Sequence, residues 1–152
     1  MFTPDEVAGV VDLFGALSPD ATATALSELA YRRGEEPPEG VIEDALAEFA
    51  LVEFEHDGDR VLGPGPAAFP TLPEGAADLP HILEEKRRPV ERNAIERAAV
   101  SRLRSEAEDP ASLSGDRAAT LVEISYDIEA WGGRDLSDVR TRLRERTGDA
   151  EP

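Results

Sequence analysis

The chain has 152 residues, 40% of them hydrophobic and only 5% aromatic, so a core must be built mainly from Ala, Val and Leu. It carries 33 acids against 16 bases, a net charge of −17 and no cysteine, which excludes disulfides, thiolate nucleophiles and cysteine-held metal. No apolar run approaches the ~20 residues of a membrane span, and acids stand where a signal peptide has a basic region, so the expectation is a cytoplasmic protein.

The charge has two further features. Lys86 is the only lysine; every other base is arginine. Residues 1–85 hold 19 acids and 3 bases, while residues 86–152 hold 14 and 13. An acidic, lysine-poor surface suits molar salt, where a Debye length of about 3 Å screens the self-repulsion. Codon bias in a GC-rich genome explains arginine over lysine but not the acidic excess.

In chain order, Thr3, Pro4 and Glu6 announce a first helix with a capping box, carrying Val7, Val10, Val11 and Phe14 on one face and stopping at Gly15. Ser18 and Pro19 repeat the device for a second helix, with Ala25, Leu26, Leu29 and Ala30 as its stripe, Arg32 and Arg33 in its last turn and Gly34 as its stop. After the loop GEEPPEG, a third helix is expected to present Val41, Ile42, Ala45, Leu46 and Phe49 on one face. The stretch LVEFEHDGDRVLGPG then reads as a hairpin turning at Asp57-Gly58, so that His56 pairs with Asp59, Glu55 with Arg60 and Phe54 with Val61. Val52, Phe54 and Val61 fall on one side of this ribbon, and Glu53, Glu55 and Arg60 on the other.

A proline-rich arm follows, with Phe69, Leu72 and Leu79 expected to pin it to the domain. Pro89 is read as opening a helix with Val90, Ala94, Ile95, Ala98 and Leu103 inside and i,i+4 pairs Arg92–Glu96, Arg102–Glu106 and Arg104–Glu108. After a break at ASLSG, Leu121, Ile124, Ile128 and Trp131 line another helix, ended by Gly132-Gly133. A last helix carries Leu136, Val139 and Leu143, with Arg140, Arg142, Arg144 and Arg146 outside. The resulting fold class is mostly α (α+β). The organisation read is a domain over 1–65, an arm over 66–88, a helical extension over 89–147 and a frayed tail over 148–152.

Three helices followed by a hairpin, in SPDATATALSELAYRRG and then GVIEDALAEFALVEFEHDGDRVLGPG, resemble the winged helix-turn-helix architecture over residues 3–65. That resemblance implies a third helix in the major groove and a wing on the DNA backbone. The opening TPDEVAGVVDLFGALS and the segment AAFPTLPEGAADLPHIL are also similar to an uncharacterised haloarchaeal family, over residues 1–105, which implies no known activity. The charge departs from a DNA reader. Gly34 to Asp59 contains no Lys or Arg, and phosphate contact and base readout both need cationic or amide donors.

No nucleotide-binding, nucleophile-elbow or EF-hand pattern is present. His56, Asp57 and Asp59 sit on one tight turn and do not converge as metal ligands, and His81 suits a capping or packing role. No catalytic residue, metal or cofactor is assigned. The expectation is a non-enzymatic interaction or regulatory module of a halophilic archaeon, with a protein partner or a second copy of itself. Its alternative is a winged-helix DNA regulator using the C-terminal arginines. The residues marked for such contact are Lys86, Arg87, Arg88, Arg134, Arg140, Arg142, Arg144 and Arg146. The competing roles for Arg140, Arg142, Arg144 and Arg146 are a solvated helix face paired with neighbouring acids, or docking on the acidic N-terminal half of the same or another chain.

Overall fold

A computed structural model describes residues 2–83, 87–132 and 134–147. Among them the chain is mostly helical, an α+β fold of seven α-helices, one 3-10 turn and one antiparallel hairpin. The helices are α1 (Pro4–Phe14), α2 (Pro19–Arg32), α3 (Val41–Ala47), α4 (Leu79–Ile82), α5 (Arg92–Ala107), α6 (Gly115–Gly132) and α7 (Ser137–Thr147). The strands are β1 (Leu51–His56) and β2 (Asp59–Pro64). No helix among the described residues is long and apolar enough to cross a membrane. The chain divides into two compact units, Met1–Ile95 and Glu96–Pro152, with the boundary inside α5.

In the first unit, the helix ends follow their local chemistry. Thr3 Oγ1 accepts the Glu6 N–H at 3.1 Å, and Glu6 Oε1 accepts the Thr3 N–H at 3.0 Å, which completes the capping box. Ser18 Oγ accepts the Ala21 N–H to cap α2. At the far end of α2, Gly34 takes φ +70°, the Gly34 N–H donates to Tyr31 O and the Glu35 N–H to Ala30 O, a Schellman closure.

The third helix is shorter than its apolar stripe suggests. It ends at Ala47, and Phe49 lies outside it with φ +60°. The Phe49 N–H donates to Leu46 O and the Ala50 N–H to Ala45 O, the same Schellman pattern with phenylalanine where glycine is usual. A left-handed backbone costs a non-glycine residue about 1–2 kcal/mol. Burying a phenylalanine side chain returns about 1.5–3 kcal/mol, and Phe49 is fully buried. The reversal therefore holds, and it swings the chain directly from α3 into β1.

The hairpin has the register read from its sequence: Phe54 opposite Val61, Glu55 opposite Arg60 and His56 opposite Asp59. Asp57 (φ +52°) and Gly58 (φ +84°) both take left-handed backbone, as a type I′ turn demands. Arg60 makes its ion pair diagonally, to Glu53 at 3.0 Å, instead of to the facing Glu55. Leu17 exchanges backbone hydrogen bonds with Leu62 (2.7 and 3.1 Å), tying the α1–α2 connection to β2. Leu51 and Leu62 enter a core with Val7, Val10, Val11, Phe14, Leu26 and Leu29.

The proline-rich arm is held differently from expectation. Leu79 is fully buried, joined by Ala76, but Phe69 is 81% and Leu72 44% exposed. Backbone anchors it instead: the Phe69 N–H donates to Asp5 Oδ1 and the Thr71 N–H to Asp5 O, both at 3.0 Å. The arm crosses α1 at Gly9, where a Cβ would stand 2.1 Å from Thr71 O. Contact that close is made main chain to main chain, which leaves the large side chains outside. His81 is exposed in the last turn of α4, so of the capping and packing roles read for it the packing one is not made.

In the second unit, α6 and α7 pack on each other, and Leu121, Ile124 and Ile128 on α6, Val139 and Leu143 on α7 and Leu136 just before it are all buried. Ser114 caps α6, its Oγ accepting the Arg117 N–H at 3.0 Å. The helix assigned to start at Pro89 starts three residues later, at Arg92. A residue preceding proline is pushed out of the helical region, and the Arg88 N–H is taken by Phe14 O at 2.6 Å. Val90 is accordingly outside the helix, and the buried face is Ile95, Ala99, Val100 and Leu103. Arg102–Glu106 forms as an i,i+4 pair at 3.5 Å, whereas Arg104 reaches Asp138 at 2.9 Å. The tail after Gly148 and the stop at Gly133 lie outside the described residues.

Replacing an exposed mid-helix glycine by alanine normally stabilises a helix by about 1 kcal/mol. Gly9→Ala should do the reverse, destabilising by about 1–3 kcal/mol as its methyl drives the arm off α1. Urea unfolding midpoints of the two proteins at one salt concentration decide the sign.

Candidate interaction surfaces

Two charged surfaces come from the sequence: the acidic α3 with its hairpin, and the arginines. On α3, Glu43, Asp44 and Ala47 face solvent, as does Glu48 at its C-cap, while Val41 and Ala45 face the core. Between Phe2, Thr3 and Pro4 on one side and Val41, Asp44 and Glu48 on the other lies a groove of about 330 Å³. Among the described residues neither Asp44 nor Glu48 is in an ion pair. The apolar stripe hid this groove, because Val41 reads as plain core and Phe2 precedes the first helix cap.

The marked basic residues are mostly engaged within their own units. Lys86 lies outside the described residues. Arg87 Nη1 donates to Leu13 O at 3.0 Å, and the Arg88 N–H to Phe14 O, so both serve the C-terminal carbonyls of α1. Arg88 also reaches Asp59 at 3.4 Å. Gly15 makes this approach possible: a Cβ there would lie 2.3 Å from Arg88 O.

In the second unit, Arg134 lies 3.3 Å from the buried Glu96 Oε2, an ion-pair distance that is not aligned as a hydrogen bond. Arg140, expected outside, is buried at 8% exposure. Its guanidinium donates to Ser125 Oγ at 3.1 Å, pairs with Glu129 at 3.0 Å and lies 4.1 Å from the Tyr126 ring centroid. The α6–α7 contact puts position 140 over the α6 face carrying Ser125, Tyr126 and Glu129, three partners the charge pattern of α7 alone does not reveal. Arg144 donates to the Tyr126 hydroxyl at 3.0 Å, and Arg146 donates to Leu113 O. Arg142 alone of the four on α7 has no partner among the described residues; it borders a shallow groove with Ser101, Ser105 and Glu108. These arginines are aimed at separate partners and do not converge on one positive face.

The carboxylates that hold this unit have shifted proton affinities. Glu129 is held below the usual carboxylate range, first by the Leu136 N–H at 2.6 Å and then by Arg140. Asp138 is held low by Arg104, and Asp135 by the Ser137 N–H. Each is depressed in the folded state, so its contribution is complete above the unfolded carboxylate range, about pH 4. That contribution is lost as pH falls through the lower folded values.

Arg140→Met should destabilise the second unit by about 2 kcal/mol through the lost Ser125 bond and aromatic stacking. Arg142→Gln should stay within about 0.5 kcal/mol. Trp131, the only tryptophan, sits on α6, so its fluorescence during denaturant unfolding reads this unit. The same signal, followed from pH 7 to pH 3, should show an acid destabilisation that is shallower in Glu129→Gln. An unchanged slope would remove Glu129 from that account.

Neither a curated protein nor a solved structure matches the chain. One family model does match, over residues 5–148, well past residue 105, where the resemblance read from the sequence ends. The chain therefore belongs to the family of unknown function DUF7109.

Proposed function

We propose that the chain is a non-enzymatic protein-interaction or regulatory module, built on a winged-helix-like N-terminal domain and working in the cytoplasm of a salt-adapted, haloarchaeal-type cell. Three helices feeding a type I′ hairpin, with Leu17 bridged to Leu62, support the winged-helix reading. The net charge of −17 with a single lysine supports the salt adaptation.

One observation carries the choice of partner class. From Gly34 to Asp59 there are ten carboxylates and no Lys or Arg, and α3 turns Glu43, Asp44 and Glu48 to solvent. Duplex DNA needs cationic or amide donors at that position, and this helix repels it. High salt weakens the repulsion but supplies no donor. The alternative, DNA held by the C-terminal arginines, is weaker because Arg134, Arg140, Arg144 and Arg146 are occupied within their own unit. The partner is then a protein or a second copy of the chain.

Affinity purification from cells at native salt, with proteins and nucleic acids both identified, tests this. The expected result is a specific protein partner, or a concentration-dependent dimer in sedimentation. A duplex mobility shift in high-KCl buffer that is abolished by Arg142→Glu and Arg144→Glu would replace it with the DNA reading. Arg140 is left intact in that test because it packs the second unit.

A further inference from the structure

The groove beside α3 has the wrong chemistry for a nucleic acid and the right chemistry for one kind of peptide. Its walls at Phe2, Pro4 and Val41 are apolar, and its rim is Asp44 and Glu48, one helical turn apart on the same face. We propose that this groove docks a basic, partly apolar segment of a protein partner, in which an arginine or lysine lies beside an aliphatic side chain. The inference rests on the protein-interaction reading above and specifies its site.

Charge complementarity selects this occupant. Glu106, Glu129 and Asp138 in the second unit are each met by arginine, whereas among the described residues Asp44 and Glu48 have no cation. The stretch that carries them, residues 34–59, holds no Lys or Arg. A long cationic side chain lays its methylenes on apolar surface while its head reaches a carboxylate, which fits Val41 below and Asp44 and Glu48 above. Phe2 already accepts this chemistry from within the chain: the Arg33 guanidinium lies 5.0 Å from its ring centroid. Salt narrows the choice further. At a Debye length of about 3 Å, diffuse attraction between an acidic surface and a basic partner is screened. Contact pairs and apolar burial persist, and a groove provides both where a flat acidic surface provides only the first.

The test uses the full ¹⁵N-labelled chain at molar KCl and three capped hexapeptides: alternating Leu-Arg, alternating Leu-Glu, and all-Arg. The Leu-Arg peptide should bind saturably, with amide shifts concentrated at Phe2, Thr3 and residues 41–48. Asp44→Arg with Glu48→Arg should weaken it about tenfold or more. Glu36→Arg with Glu39→Arg, an equal charge change on the loop before α3, should weaken it less than about twofold. All four positions are exposed, and unchanged circular dichroism confirms folding. No saturable Leu-Arg binding, equal loss in both variant pairs, or all-Arg binding as tight as Leu-Arg would each overturn the groove assignment. The native partner separates the two readings. If the unaltered chain and the Asp44/Glu48 variant recover the same protein equally, the groove assignment fails and the interaction reading stands. If the unaltered chain recovers no protein and sediments as a monomer at every concentration, the interaction reading itself fails.

Discussion

The first unit depends on the reversal at Phe49. There a helix ends, a strand begins, and a phenylalanine takes a backbone conformation normally left to glycine. Its carbonyl accepts the Ala67 N–H, and Gly65 passes so near that a Cβ would stand 2.1 Å from that oxygen. The reversal thus fastens both the start of β1 and the chain leaving β2. Were α3 to continue through Phe49, Leu51 would lose its place opposite Pro64, and the hairpin would lose its seat on the core. The acidic outer face of α3 is a consequence of the same turn, since the inner face is committed to Val41 and Ala45.

The arm applies a second constraint of the same kind. Gly9, Gly15 and Gly65 each lie against another segment's main chain, at separations that no side chain permits. Two of these contacts bring later chain back to α1: Thr71 onto Gly9 and Arg88 onto Gly15. A chain with few aromatics thereby gains its closest packing from backbone.

Charge is used differently in the two units. In the second, arginine is structural: Arg117 meets both oxygens of Glu106 at 3.0 Å, Arg104 meets Asp138 and Arg140 is buried over Tyr126. Planar guanidinium suits these bidentate and stacked roles better than ammonium does, a use for arginine separate from genomic bias. In the first unit the acids of α3 have no such partners among the described residues. Carboxylates without an ion pair among the described residues therefore stand beside an apolar groove there.

The sequence alone determined whatever depends on neighbours in the chain. The capping box at Thr3, the stop at Gly34 and the hairpin register about Asp57-Gly58 are each decided within a few residues by local hydrogen bonds and allowed backbone angles. Membership of one family over residues 5–148 is likewise a property of the chain order. Tertiary structure decided what depends on distant partners. Phe49 reads as the next apolar position of a helix, and only burial makes its left-handed reversal affordable in energy. Phe69 and Leu72 read as anchors, but the arm's backbone reached Asp5 and Gly9 first. Arg140 reads as one of four outward charges, until α6 places Ser125, Tyr126 and Glu129 against it. Local pattern records what a residue prefers; the contact across the fold settles whether that preference is met.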